Sequence, residues 1–181
     1  MLRAATFQAF ERASFLPHAL DDRWTGPRRF ASWNHTLDAG VTHLEVAHGV
    51  PPWQAPGPQV RVDTRRAAPD QLDFELDELV QDQCEALFRE TGVLCEDLLD
   101  ADFSVDDADL VVGWNHADIE LDDVPLSFRV LGHDDFWVGH AISDDVLIGI
   151  EASAWPLEQT GLVSVRDFAP YDAGLREAMR I

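Results

Sequence analysis

A chain of 181 residues with 46% hydrophobic content, six Trp and ten Phe is long enough for one domain with a real core, and too apolar to be a disordered acidic tail. Its formal net charge is -21, from 34 acids against 13 bases, and every base is an arginine. No apolar run approaches the ~18 residues of a membrane span, the first residues lack a signal-peptide pattern, and two cysteines make neither a disulfide framework nor a zinc quartet.

These properties predict one domain over residues 1–181, soluble and cytoplasmic, with Cys84 and Cys95 as buried thiols. The charge is uneven. Residues 1–66 hold 8 Arg and 6 acids, a net of +2, whereas residues 67–181 hold 5 Arg and 28 acids, a net of -23. Codon bias in a GC-rich genome accounts for the absence of lysine, and salt adaptation for general acidity. Salt adaptation is expected to coat the whole surface, and the first third has no such coat, so the asymmetry leaves open both a habitat or genome effect and an acidic surface facing a basic partner.

In chain order, Leu2, Phe7, Phe10 and Ala13 recur at helical spacing, so residues 2–15 are expected to form a short amphipathic helix. It lacks the basic cluster of a membrane-surface helix and is read as packed on the core. The segment from Leu20, LDDRWTGPRRFASWNH, reads as irregular and turn-rich. VTHLEVAHG (41–49) reads as a strand with His43 and Glu45 on one face. PPWQAPGP then has four prolines around Trp53 and reads as a stiff connection.

QVRVDTRRAAPDQLDFELD alternates twice. Val60 and Val62 oppose Arg61, Asp63 and Arg65, while Leu72, Phe74 and Leu76 oppose Asp73, Glu75 and Asp77. Folded about residues 67–70, this predicts a hairpin with arginines facing acids, which argues against a domain boundary near residue 66. From Asp77 the period changes. Leu79, Val80, Cys84, Leu87 and Phe88 predict one face of a four-turn helix stopped at Gly92, with Asp77 and Glu78 near its positive end.

Residues 94–109 form the most acidic connection. Asp100, Asp102, Ser104 and Asp106 are spaced like a calcium loop, but Val105 stands where a glycine turn is needed and Val111 where the closing glutamate belongs. From Asp70 to Asp109 there are 15 acids and one base, Arg89. Asp100, Asp102, Asp106 and Asp107 are the candidate partner-binding acids on this face.

The segments ADLVVGW, HADIEL, PLSFRVL, FWVGHAI, VLIGIEA and LVSVRDF, separated by short turns such as Asp122-Asp123 and Asp144-Asp145, predict an antiparallel β-meander. The expected fold is therefore α+β: a meander sheet packed against one main helix, with a short N-terminal helix. In HDDFWVGHAISDD, His133 falls in a turn and His140 inside a strand at the parity of Phe136, Val138 and Ile142, pointing to the core. The two are not a chelating pair, and no metal or cofactor is expected. The triplet Trp33-Asn34-His35 recurs as Trp114-Asn115-His116 in different flanks, which does not amount to a repeat.

No glycine-rich phosphate cradle, nucleophile elbow or metalloprotease motif occurs, and no basic-aromatic patch suits nucleic acid. One constellation stands out opposite the assumed apolar parity: Ser127, Arg129, Trp137, Gly139, Leu147, Gly149, Glu151, Ser164 and Arg166. Glycines inside strands mark close approach of a ligand or chain. Arg129 and Arg166 are candidate anion ligands, Trp137 a flat wall, and Glu151 a proton acceptor or a group that positions the arginines.

Two functional readings follow. The first is a non-catalytic acidic protein-binding module, such as an inhibitor, immunity protein or adaptor, engaging a basic protein. The second is a small-molecule-binding enzyme or sensor built on the glycine-lined sheet face. Salt-sensitive affinity without a pocket marks the first, and a concave site with converging polar groups the second. The countable charge asymmetry favours the first.

Overall fold

The computed structural model describes residues 13–21, 29–36, 40–49, 58–92, 94, 111–133 and 135–167. In chain order they form β1 (His18–Leu20), β2 (Arg29–Thr36), β3 (Gly40–Gly49), β4 (Gln59–Arg66), the helix α1 (Leu72–Thr91), β5 (Val111–Leu121), β6 (Val124–His133), β7 (Phe136–Ser143) and β8 (Val146–Ser153). A 3₁₀ turn (Leu157–Gln159) and β9 (Gly161–Ser164) complete the order. Among the described residues, the strands make one sheet in the order β1-β9-β5-β6-β7-β8-β4-β3-β2.

Turn chemistry sets the middle of this order. Strands β5 to β8 are successive antiparallel neighbours. Asp122 and Asp123 join β5 to β6 with φ of 49° and 66°, the positive values a two-residue hairpin turn needs and aspartate tolerates better than most residues. The Asp122 carboxylate also accepts the Ser164 N–H at 3.0 Å and the Ser164 hydroxyl at 2.6 Å, tying β9 to this turn.

The sheet is not a plain antiparallel meander. Strand β9 returns to pair in parallel with β5, through Glu120↔Gly161 and Leu121↔Leu162, and β8 pairs with β4 rather than with its successor. The sheet also curls until it nearly closes. Strand β1, hydrogen-bonded to β9, lies across β3 and β4, where the His18 N–H donates to Thr64 Oγ1 at 2.9 Å and the Leu20 N–H donates to His48 Nε2 at 3.1 Å. The result is α+β, with a mixed, barrel-like sheet and one main helix.

The curl creates two apolar layers. Inside it, Val60 and Val62 of β4 meet Phe128 and Val130 of β6, Trp137 and Ala141 of β7, and Ile148 and Ile150 of β8. Outside it, Ala86 and Leu87 of α1 pack on Leu131, Phe136 and Val138. Strand β7 is therefore buried on both faces.

That double burial explains several differences from the sequence reading. The expected second hairpin strand over residues 71–77 is the first turn and a half of α1, because Leu72, Leu76, Leu79 and Gln83 keep helical spacing where strand alternation stops at Asp77. The acids Asp73 and Glu75 occupy the first turn, favourable to the helix dipole, and Gly92 at φ 74° closes the helix with its N–H donating to Phe88 O. The buried stripe is Leu79, Gln83, Ala86 and Leu87, and Phe88, assigned from sequence to the core face, is 48% exposed.

Strand β2 runs where the sequence reads as irregular, and the two strands expected over ADLVVGW and HADIEL are the single β5. Each Trp-Asn-His triplet lies at a register irregularity, one between Asn34 and His35 and the other between Val111 and Asn115. Residues on both sides of position 66 share the sheet, since β4 pairs with β8 along its length.

Cys84, half-buried on α1, is disulfide-bonded, so the expectation of two free thiols is corrected for it; Cys95 lies outside the described residues. The expected helix over residues 2–15 falls outside them as well, apart from its last three positions, which are not helical. Among the described residues, no helix is long and apolar enough to cross a membrane.

Candidate functional site

Pairing register decides which side chains meet. On the outer face of the sheet, His43↔Arg65 and Glu45↔Asp63 are opposite one another across β3 and β4, and Arg61↔Glu151 and Asp63↔Gly149 across β4 and β8. The charged parity of three strands thus converges beside α1. Between helix and sheet lies a cleft of about 160 Å³. Its sheet wall carries His43, Glu45, Arg61, Asp63, Arg65 and Glu151, and its helix wall Leu79, Asp82, Gln83, Glu85 and Arg89. A wider recess of about 800 Å³ at the start of α1, bordered by Phe74, Glu75 and Glu78, meets it at His43 and Arg65.

Arg65 is the anchor. It is 7% exposed, donates from Nε to Asp63 Oδ2 at 3.1 Å, pairs through Nη2 with Asp82 of α1, and lies 4.0 Å from Glu78. The carboxylates of Asp63 and Asp82 hold its guanidinium more firmly charged than usual despite the cost of burial. His43 Nε2 sits 2.9 Å from Asp63 Oδ1.

Arg61 is held more loosely, 3.4 Å from Glu45 and 3.4 Å from Glu151, longer than a well-formed charge-assisted bond. Burial pushes the Glu151 carboxyl above its ordinary range, against the pull of Arg61 and Arg89. Glu75 is likewise raised, by burial and by its neighbour Glu78.

The helix sits close to the sheet because residue 149 has no side chain. A Cβ on Gly149 would fall 2.6 Å from Leu79 Cδ1. Beside it, Gln83 donates from Nε2 to Gly139 O, and its Oε1 is 3.2 Å from His140 Nδ1. His140 is buried, but on the outer face under α1 rather than in the sheet interior; burial and Arg129 lower its pKa to about 4.

The sheet-face constellation expected from sequence is divided. Arg129, Gly149 and Glu151 are on the outer face, where register matches them to His140, Asp63 and Arg61. Trp137 and Gly139 face the interior. Trp137 is 4% exposed and donates from Nε1 to Trp155 O at 2.8 Å, so it is no wall of a surface pocket. Arg166 is exposed beyond the end of β9.

The glycine argument changes accordingly: Gly149 admits the helix, and Gly139 lies in ordinary contact with Val130 and Trp137. The parity error arises in β7, whose two buried faces leave no alternation to read. Asp100, Asp102, Asp106 and Asp107 lie outside the described residues.

The cleft residues absent from the sequence-derived site are His43, Glu45, Arg61, Asp63, Arg65, Asp82 and Arg89. Alternation places the sheet members of this group on common strand faces. What sequence does not reveal is that β4 lies between β3 and β8.

The exposed side of α1, which borders the two recesses at Phe74, Glu78 and Glu85, is the other unusual surface. Phe74, Glu78, Gln81, Glu85 and Phe88 follow one another at three- and four-residue steps, and Phe74 and Phe88 are 63% and 48% exposed. Among the described residues, no group of His, Cys, Asp and Glu is arranged to hold a metal ion. No known protein family matches the chain, and no match is found among curated proteins or solved structures.

Proposed function

We propose that this protein is a non-catalytic acidic binding module that engages a basic protein through the exposed side of α1. The observation that carries the reading is the stripe from Phe74 to Phe88, two exposed aromatics at the ends of a helix holding seven acids and one arginine. Large aromatics left in water on an otherwise polar helix mark interaction surfaces, and they supply the lasting affinity that exposed ion pairs do not. The acids between them steer a basic partner and suppress acidic ones. In sequence, Asp100, Asp102, Asp106 and Asp107 continue the same acidic run and are proposed as an extension of this surface.

The reading is a docking function, such as that of an inhibitor, immunity protein or adaptor, with no catalytic step, cofactor, membrane or nucleic acid. A disulfide at Cys84 suits an oxidising compartment better than a reducing one, so a cytoplasmic location does not enter the proposal.

A second reading, a small-molecule sensor or enzyme, is favoured by one observation. Glu151, with its raised carboxyl, lines a concave cleft together with Arg61, Arg89 and His43. In that reading Glu151 is the proton acceptor and Arg61 the group that positions it, in place of Arg129 and Arg166.

The variant Phe74→Ser/Phe88→Ser separates the readings. Both side chains are exposed, so thermal unfolding should change little. Retention of the native partner, compared with wild type on the same resin and extract, should fall at least about 10-fold. Undiminished retention contradicts the docking reading.

A further inference from the structure

The two edges of the sheet are finished differently. Strand β1 has three residues, and two of its N–H groups are taken up by side chains across the seam: His18 N–H donates to Thr64 Oγ1 at 2.9 Å and Leu20 N–H to His48 Nε2 at 3.1 Å. That edge is closed. Strand β2 has eight residues, and among the described residues its one strand neighbour is β3. The seam closes on β3 and β4, so β2 lies beyond it.

An antiparallel strand directs the N–H and C=O of alternate residues to either side, so β2 offers the groups of about four residues to a further strand. The irregularity near Asn34 does not blunt this edge. The pairs Asn34↔His43 and His35↔Val41 skip Thr42, so the extra residue belongs to β3 and the alternation of β2 is kept. The usual guards of an edge are missing as well, since β2 contains no proline and the chain no lysine.

Charge decides what pairs there. Two copies of a chain with net charge -21 repel over most of their surface, and they meet at least cost where acids are missing. From Arg23 to Leu37 the sequence has three arginines and no acid, and Arg29 is the one formal charge on β2. A basic protein of the kind drawn to α1 finds no carboxylate on this strand. Antiparallel alignment of β2 with itself also sets the two copies of Arg29 at opposite ends of the paired strands, where they do not repel.

We propose that the open edge of β2 pairs antiparallel with β2 of a second copy of this chain about a two-fold axis, joining two sheets into one and giving the assembly two copies of α1. The proposal goes beyond the docking function and does not depend on it. Because the pairing works against the net charge of both copies, dimerisation strengthens as salt rises, the opposite of the salt response of α1 toward a basic partner.

The test is sedimentation equilibrium of the whole protein over a concentration series at low and at moderate salt. Wild type is compared with Ser32→Lys/Asn34→Lys on β2 and with Asn115→Lys/Ser127→Lys, at exposed positions of β5 and β6. Both pairs add two positive charges, so a response to bulk charge alone tightens association equally in both. The expected result is a wild-type dimer that tightens with salt, a loss of dimer affinity of roughly 10-fold or more in the β2 pair, and no loss in the remote pair. A monomeric wild type overturns the proposal and leaves the edge to another segment of the same chain or to a different protein. The same response in both pairs overturns β2 as the interface, and oligomers that grow past the dimer with concentration overturn the two-fold closure.

Unfolding midpoints within a few degrees of wild type establish that the variants are folded. If the β2 lysine pair unfolds early, Ala31→Pro and Ser32→Pro provide the second arm. Adjacent residues direct their N–H groups to opposite sides, so one proline removes a bond to β3 and the other a bond across the two-fold axis. The more stable of the two proline variants should lose the dimer, and a dimer of wild-type affinity in that variant overturns the proposal. Failure of the docking function is seen separately, because Phe74→Ser/Phe88→Ser keeps the dimer whichever way partner retention goes.

Discussion

At the scale of single residues, the relation that sets the helix against the sheet is between a missing side chain and a leucine. Gly149 lies opposite His140 in β7 and Asp63 in β4, and Leu79 of α1 occupies the space its Cβ would need. Leu79 is 1% exposed, so it yields only by moving the helix or leaving its rotamer. Gly149→Ala should therefore destabilise by about 1–3 kcal/mol in urea unfolding, and combination with Leu79→Ala should cost less than the sum of the two single changes. Strict additivity would place Leu79 elsewhere. The glycine is legible in sequence as a place of close approach. What approaches it is not, because that depends on a helix some seventy positions earlier, and β7 offers no polar face from which parity could be set.

At the scale of elements, the meander β5 to β8 is legible because each strand alternates or runs apolar between aspartate turns, and those turns admit only antiparallel neighbours. The start of α1 is not, since LDFELD satisfies a strand and a helix equally and only the continuation through Leu79 and Gln83 decides. The seam that curls the sheet is also silent in sequence. It is made by side chains rather than by a strand ladder: His18 with Thr64, and His48 accepting from the Leu20 N–H.

His18 is buried against Thr64 and faces Asp122, and burial lowers its pKa from 6.5 to about 4; His140, between Gln83 and Arg129, is lowered to about 4 as well. Both fold neutral, so the unfolded chain takes up protons first as pH falls. Their contribution is complete above pH 6.5 and lost progressively down to about 4, on the order of 2 kcal/mol each by pH 5. Glu151 and Glu75 act in the opposite sense, because carboxyls raised in the folded state lose stability as pH rises through them. The urea midpoint should fall between pH 7 and pH 5, where the histidines dominate, and His18→Asn should flatten that fall. A midpoint independent of pH over this range would contradict a seam held by neutral histidines.

At the scale of the whole molecule, the net charge of -21 and its concentration after residue 66 establish a long-range field, and the curled sheet supplies the rigid support on which α1 displays it. In the docking function proposed above, such a field raises encounter rates with a basic protein by ~10 to 10³-fold at low salt, and the lifetime of the complex is assigned to the aromatics of α1. Rate and residence are thereby assigned to different residues. The most direct test measures association of the native partner with wild type and with the variant in which Asp100, Asp102, Asp106 and Asp107 are all replaced by Asn, by stopped flow at low and at moderate salt. The account predicts a wild-type association rate that drops about 10-fold or more as salt rises, and a slower, less salt-sensitive rate in the variant. An association rate and salt dependence that are the same in both proteins would contradict it.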